Sequence, residues 1–190
     1  MKKRVVVVTD GDSIAQKAVR EACENTGLYP VMSSGGNPTP LTGSELAEQI
    51  KSAPFDPVVV MLDDKGEIGT GPGEMALEYL LNDKELEILG VVAVASNTDA
   101  LRGVNVDESI DLNGRIISEP VDKNGESEPY GNIYLEGDTS EILARYPDVR
   151  VIGCGDLGKM MGHDRPEKGA HITTKCIQQI IDEHNGVQKQ

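Results

Sequence analysis

Residues 58–62, Val-Val-Val-Met-Leu, form an unbroken apolar run that stops dead at Asp63-Asp64. Such a run is too short for a helix and rich in β-branched side chains, so it predicts a strand buried on both faces. Gly66, Gly69, Gly71 and Gly73 follow, interleaved with Glu67 and Thr70, and then Met75, Ala76, Tyr79 and Leu80 recur at helical spacing. The stretch 57–81 therefore reads as strand, glycine-rich loop and helix. In open α/β sheets, ligands collect at the carboxyl ends of the strands. A small-molecule or metal site is expected to be lined by this loop.

The same pattern surrounds it. Residues 4–9 predict a first strand ending in Thr9, Asp10, Gly11, Asp12 and Ser13, and Ile14, Ala15, Ala18, Val19, Ala22 and Cys23 give the next helix its apolar stripe. Asp12 suits the N-cap and Gly27 a left-handed C-cap. Residues 28–32 predict a short second strand opening into Ser33-Ser34-Gly35-Gly36-Asn37-Pro38. Thr42 and Glu45 form a capping box, with Leu41 stapled on Leu46, for a helix over 44–52 that turns Leu46, Ala47 and Ile50 inward. A fourth strand over 87–95 ends in Ser96-Asn97-Thr98-Asp99. Strands alternating with helices define a doubly wound, mainly parallel α/β sheet of Rossmann-like character, with helices on both faces.

Residues 100–132 break the pattern. Asn113-Gly114 between 109–112 and 115–117 is a strong hairpin signal, and Asn124-Gly125 marks another turn, so this part reads as a hairpin-bearing insertion or edge element within one domain spanning 1–190. Asp138 with Glu141 suggests a second capping box, and 149–153 a further strand. Gly153-Cys154-Gly155-Asp156-Leu157-Gly158-Lys159 is a poor match to a dinucleotide fingerprint, because 160–164 continue as loop. Pro166 suits the start of the last helix, whose apolar face is Ile172, Cys176, Ile177, Ile180 and Ile181; Gly186 is expected to end it, leaving 186–190 frayed.

Charge narrows the partners. Thirty-two acidic against 18 basic residues give a formal charge of −14, the wrong sign for a phosphate backbone or an anionic lipid surface. Nucleic acid is not the expected partner. No run approaches the roughly 20 apolar residues of a membrane helix, so no direct insertion is expected. Residues 1–12 put three basic residues before Val5–Val8, but that run is too short for a signal peptide; a cytosol-like compartment is expected. Cys23, Cys154 and Cys176 are odd in number and lie within apolar patterns, which fits buried reduced thiols.

Three acidic strand ends converge in this scheme: Asp10, the pair Asp63 and Asp64, and Asp156. Like charges held close call for a cation or hydrogen-bond donors, and oxygen ligands at Asp10, Asp63 and Asp64 would suit magnesium or calcium. Gly35, Gly36, Asn37, Gly69, Thr70, Gly71 and Ser96 are the candidate ligand-binding positions on the same loops. The competing reading has these residues capping helices and bracing turns. Neither a nucleophile elbow nor a histidine at a strand end is present, so nothing marks a nucleophile or general base.

Two resemblances bear on function. VVVVTDGDSIAQKAV, SSGGNPTPLTGSEL, DPVVVMLDDKGEIGTGPGEMALEYL, LGVVAVASNT and RVIGCGDLGKMMGHD resemble the soluble AE family of stage V sporulation proteins over nearly the whole chain. That resemblance implies a protein encoded with membrane components that move calcium dipicolinate into the developing spore and release it in germination. It further implies no established enzymatic activity and a peripheral position at the spore's inner membrane. The strand ends are also similar to those of topoisomerase-primase (Toprim) domains, which hold magnesium between a glutamate and an Asp-x-Asp. Here Asp10 stands in the glutamate's place and Asp63-Asp64-Lys65 in that of Asp-x-Asp, with a lysine where the second acid belongs.

The expected function is that of a non-enzymatic accessory protein of sporulation and germination, working through contacts with other proteins of the same operon. A magnesium-dependent enzyme acting on phosphate esters and direct calcium or dipicolinate binding at the strand ends are the alternatives. A homo-oligomer is compatible with all three.

Overall fold

A computed structural model describes residues 2–66, 70–96, 103–128, 133–137, 139 and 141–187. A seven-stranded sheet runs through it in the order β2 (Tyr29–Pro30), β3 (Val58–Met61), β1 (Lys3–Val8), β4 (Leu86–Val94), β7 (Val151–Cys154), β5 (Glu108–Ile110) and β6 (Ile116–Ile117). The central strands are β1 (Lys3–Val8), β3 (Val58–Met61), β4 (Leu86–Val94) and β7 (Val151–Cys154), all parallel, with Val5 to Val8 in register with Val58 to Met61. Their continuous apolar sequences arise because both faces are covered. Val5, Val7, Val58, Val60 and Leu62 face α2 (Gly43–Ser52) and α3 (Pro72–Asn82). The alternate residues Val6, Val8, Val59 and Met61 face α1 (Ser13–Thr26) and α4 (His171–Val187). This is an α/β fold with a mostly parallel sheet and helices on both faces.

The local stop and start signals act as the sequence indicates. Asp12 caps α1 by accepting from the Ile14 and Ala15 amides at 2.7 and 2.8 Å, and Gly27 closes that helix at φ 70°, where a side chain would be strained. The Thr42–Glu45 capping box is complete. Among the remaining elements, β5 (Glu108–Ile110) and β6 (Ile116–Ile117) make the hairpin around Asn113-Gly114, and β5 runs parallel to β7 at the sheet edge. Asp111 holds the turn by accepting from the amides of Asn113 and Arg115 at 2.9 and 2.7 Å. Burial pushes its carboxyl up, but these amides and the Arg115 guanidinium outweigh it and hold the group below the ordinary aspartate value.

Several expectations are corrected. The second strand contracts to β2 (Tyr29–Pro30), because Met32–Ser34 coil into a 3-10 turn. On α3 the buried face is Gly73, Glu74, Ala76, Leu77 and Leu80, whereas Met75 and Tyr79 are exposed. Tyr79 nevertheless touches α2 at its base, its Cβ lying over Gly43, which has no Cβ of its own. Residues 141–145 form a 3-10 helix rather than an α-helix. Pro166 opens only a 3-10 turn, Pro166–Lys168, and α4 continues through Gly186 to Val187. Gly69, Asp138 of the second capping box, parts of 100–132 and the last residues of the tail lie outside the described residues.

Candidate functional site

The chain leaves β1 toward β2 on one face and leaves β4 toward the β7 side on the other, which opens a crevice at their carboxyl ends. Hydrogen bonds fix its walls. Thr9 Oγ1 accepts from the Val94 amide at 3.0 Å and so ties the end of β1 to that of β4. The loop after β2 is knitted to β3, with the Met61 amide donating to Ser34 Oγ at 2.9 Å and the Asp63 amide to Thr39 Oγ1 at 2.8 Å. Asp63 Oδ2 accepts from the Gly11 amide at 3.1 Å. Gly11 is required here, since a Cβ would strike the carbonyl of Gly36. The Asp156 amide donates to the Lys123 carbonyl at 2.8 Å, which brings the Asn124-Gly125 turn against the end of β7.

These loops enclose a cavity of about 240 Å³ lined by Thr9, Asp10, Asp12, Asn37, Asp63, Lys65, Val94, Ala95, Ser96, Lys123, Asp156 and Lys159. Its charges fall into tiers. Asp10 and Asp63 are only 8 % and 5 % exposed and form the floor. Above them Lys159 bridges Asp12 at 2.7 Å and Asp156 at 2.8 Å. Lys65 and Lys123 stand exposed at the rim. Burial first, then the charges of Asp12, Asp63 and Asp156, push Asp10 up to about 7, against the opposing amide of Asp12. Burial also pushes Asp12 up, but Lys159 and the Ala15 and Ile14 amides prevail and hold it below the ordinary value.

Of the positions expected to form a site, the fold brings Asp10, Asp63, Asn37 and Ser96 to this cavity together with Asp156. Asp64 goes elsewhere: its Oδ1 accepts from the Gly73 amide at 2.6 Å and its Oδ2 from the Glu74 amide at 3.0 Å, so it caps α3. Gly71 lies against Asp64 at that same N-cap, and Gly35 against Gln16. Gly36 backs Gly11, and Thr70 is exposed outside the cavity lining. A metal at Asp10, Asp63 and Asp64 together is therefore not supported. Among the described residues, no group of three or more His, Cys, Asp or Glu is arranged to hold a metal ion.

The family model for stage V sporulation protein AE1 matches residues 4–184. The chain belongs to that family. Its role is accordingly one in sporulation. The chain matches no curated protein and no solved structure. Among the described residues, no helix is long and apolar enough to cross a membrane.

For this family member, Lys65 stood out beside Asp63-Asp64 in the sequence, but Lys123 and Lys159 were not singled out as site residues. Lys159 carries a local signal, three residues after Asp156 in Asp-Leu-Gly-Lys. Lys123 carries a subtler one: Asp122-Lys123-Asn124-Gly125 repeats the Asp111-Leu112-Asn113-Gly114 turn, and Asp122 accepts from the Asn124 and Glu126 amides as Asp111 does from its own. The split between Asp63 and Asp64 has a measurable consequence. Asp64→Ala is expected to destabilise the fold by about 1–2 kcal/mol through the lost α3 cap, read by urea unfolding. A variant as stable as wild type would remove the capping assignment.

Proposed function

We propose that this sporulation protein is an accessory component of the machinery that moves calcium dipicolinate across the spore's inner membrane, working through protein–protein contacts rather than as an enzyme. The observation that carries the reading is the family match over 4–184. The formal charge of −14 favours docking on basic protein segments over anionic lipid. The arrangement of the acids supports a non-enzymatic role, because Asp64 is committed to the α3 cap and Lys159 occupies the space between Asp12 and Asp156.

The two alternatives have weaker support. Phosphoryl chemistry needs metal between the acids, and direct calcium binding needs several free oxygens, whereas Asp12, Asp63 and Asp156 already accept from Lys159 or backbone amides. The test is crosslinking in sporulating cells combined with dipicolinate release from spores lacking the protein. Adducts with the membrane proteins encoded alongside and slower release are expected. No such adduct and unchanged release would overturn the proposal.

A further inference from the structure

The buried carboxylate of Asp10 is incompletely satisfied. Its Oδ1 accepts from the Asp12 amide at 3.1 Å, and no second partner for the carboxylate exists among the described residues. At 8 % exposure it is nine-tenths buried, and what surface it keeps faces the strand-end cavity. The oxygen left without a protein partner is reachable from that cavity, so a ligand donor can meet it there. At the rim, Lys65 and Lys123 likewise have no ion-pair or hydrogen-bond partner for their ammonium groups among the described residues.

We infer that this cavity binds a small zwitterion, with an ammonium group donating to Asp10 on the floor and a carboxylate or similar anion facing Lys65 and Lys123 at the rim. The charge tiers favour this class over simpler ones. A bare anion would have to approach Asp10, Asp12, Asp63 and Asp156 with Lys159 already shared between two of them. A divalent cation would find Lys159 beside it and no group of three or more potential ligands among the described residues. A cavity of about 240 Å³ is smaller than the roughly 300–1,000 Å³ that accommodates drug-sized ligands, and suits a molecule on the scale of an amino acid.

Proton linkage follows from the same geometry. Asp10 is faced by Asp12 from the α1 cap, Asp63 after β3, Asp156 and Lys159 after β7, and the rim lysines. Burial and the three acids raise it to about 7, so an ammonium group meets a neutral acid below that pH and a carboxylate above it. Affinity is therefore expected to rise with pH across this range.

The inference does not depend on the sporulation machinery and is tested on the purified protein. Calorimetric titrations at about pH 8 with glycine, β-alanine and 4-aminobutyrate are compared with methylammonium, acetate, calcium chloride and magnesium chloride. At least one zwitterion is expected to bind about tenfold or more tightly than any single-charge probe, with the margin lost in Asp10→Asn and reduced in Lys123→Gln. Circular dichroism reports whether each variant is folded, and Lys123→Gln, at an exposed position, keeps the test decisive if Asp10→Asn is not. Absence of zwitterion binding at about 10 mM overturns the inference. So does binding that is equal in both variants, or calcium or magnesium binding that requires Asp10 while no zwitterion binds.

Discussion

Replacing Asp164 with alanine is expected to destabilise the protein by about 3–5 kcal/mol, the scale for removing a buried, multiply bonded charge. Asp164 is fully buried. Its Oδ2 accepts from the Gly158 amide at 2.8 Å and the Thr173 hydroxyl at 2.5 Å, and its Oδ1 from the Ile172 and Thr173 amides at 2.8 and 3.0 Å. Two of those amides are the otherwise orphaned donors at the start of α4. The third belongs to the loop carrying Asp156 and Lys159. Alanine would strand all four donors in an interior that water cannot reach. Asp164→Asn keeps one acceptor oxygen but turns an amide NH2 toward donors, so an intermediate loss is expected. Urea unfolding of the two variants gives the ordering, and a loss below about 1 kcal/mol for alanine would show that the site relaxes around the gap.

Asp164 also illustrates what the sequence hides. Its partners lie six to nine residues downstream or upstream across an irregular loop, a distance at which no helical or strand period operates. By contrast, Asp12, Gly27 and the Thr42–Glu45 box were legible because a cap is a local object: donor, acceptor and backbone angle lie within four residues. The central strands were legible for a different reason. A strand covered on both faces must be apolar at successive positions, and 4–9, 58–62 and 87–95 contain little else. Parallel strands also point their carboxyl ends the same way, which is why Asp10, Asp63 and Asp156 were brought toward one cavity on sequence grounds.

The pairing of Asp63 with Asp64 failed on geometry that the sequence did contain. Consecutive residues of extended chain project to opposite sides, so one acid faces the cavity and the other turns to α3. The close approach of Tyr79 to α2 was not legible, since it depends on Gly43 lying opposite it on another helix. Lys123 reaches the site only through the contact between its turn and the end of β7, a long-range pairing with no periodic trace.

Asp10→Asn is expected to make the protein more stable at pH 8, by about 2–4 kcal/mol, while removing the acceptor on which ligand binding is proposed to rest. The sign follows from the protons bound. Unfolded, Asp10 titrates near the ordinary value of about 3.9; folded, it titrates at about 7. Between these values the folded state holds the extra proton, so each step up in pH removes stability, and above about 7 the full penalty of a buried charge among Asp12, Asp63 and Asp156 is present. Asparagine can accept from the Asp12 amide as Asp10 does at 3.1 Å, without the charge. The difference between variant and wild type should therefore be near zero at about pH 4 and below, grow through the neutral range and then level off. Denaturant unfolding at a series of pH values measures that curve. A flat difference would mean that Asp10 is not destabilised in the folded state. A rising one would identify Asp10 as a position kept at the expense of stability, which is the pattern of residues held for binding rather than for the fold.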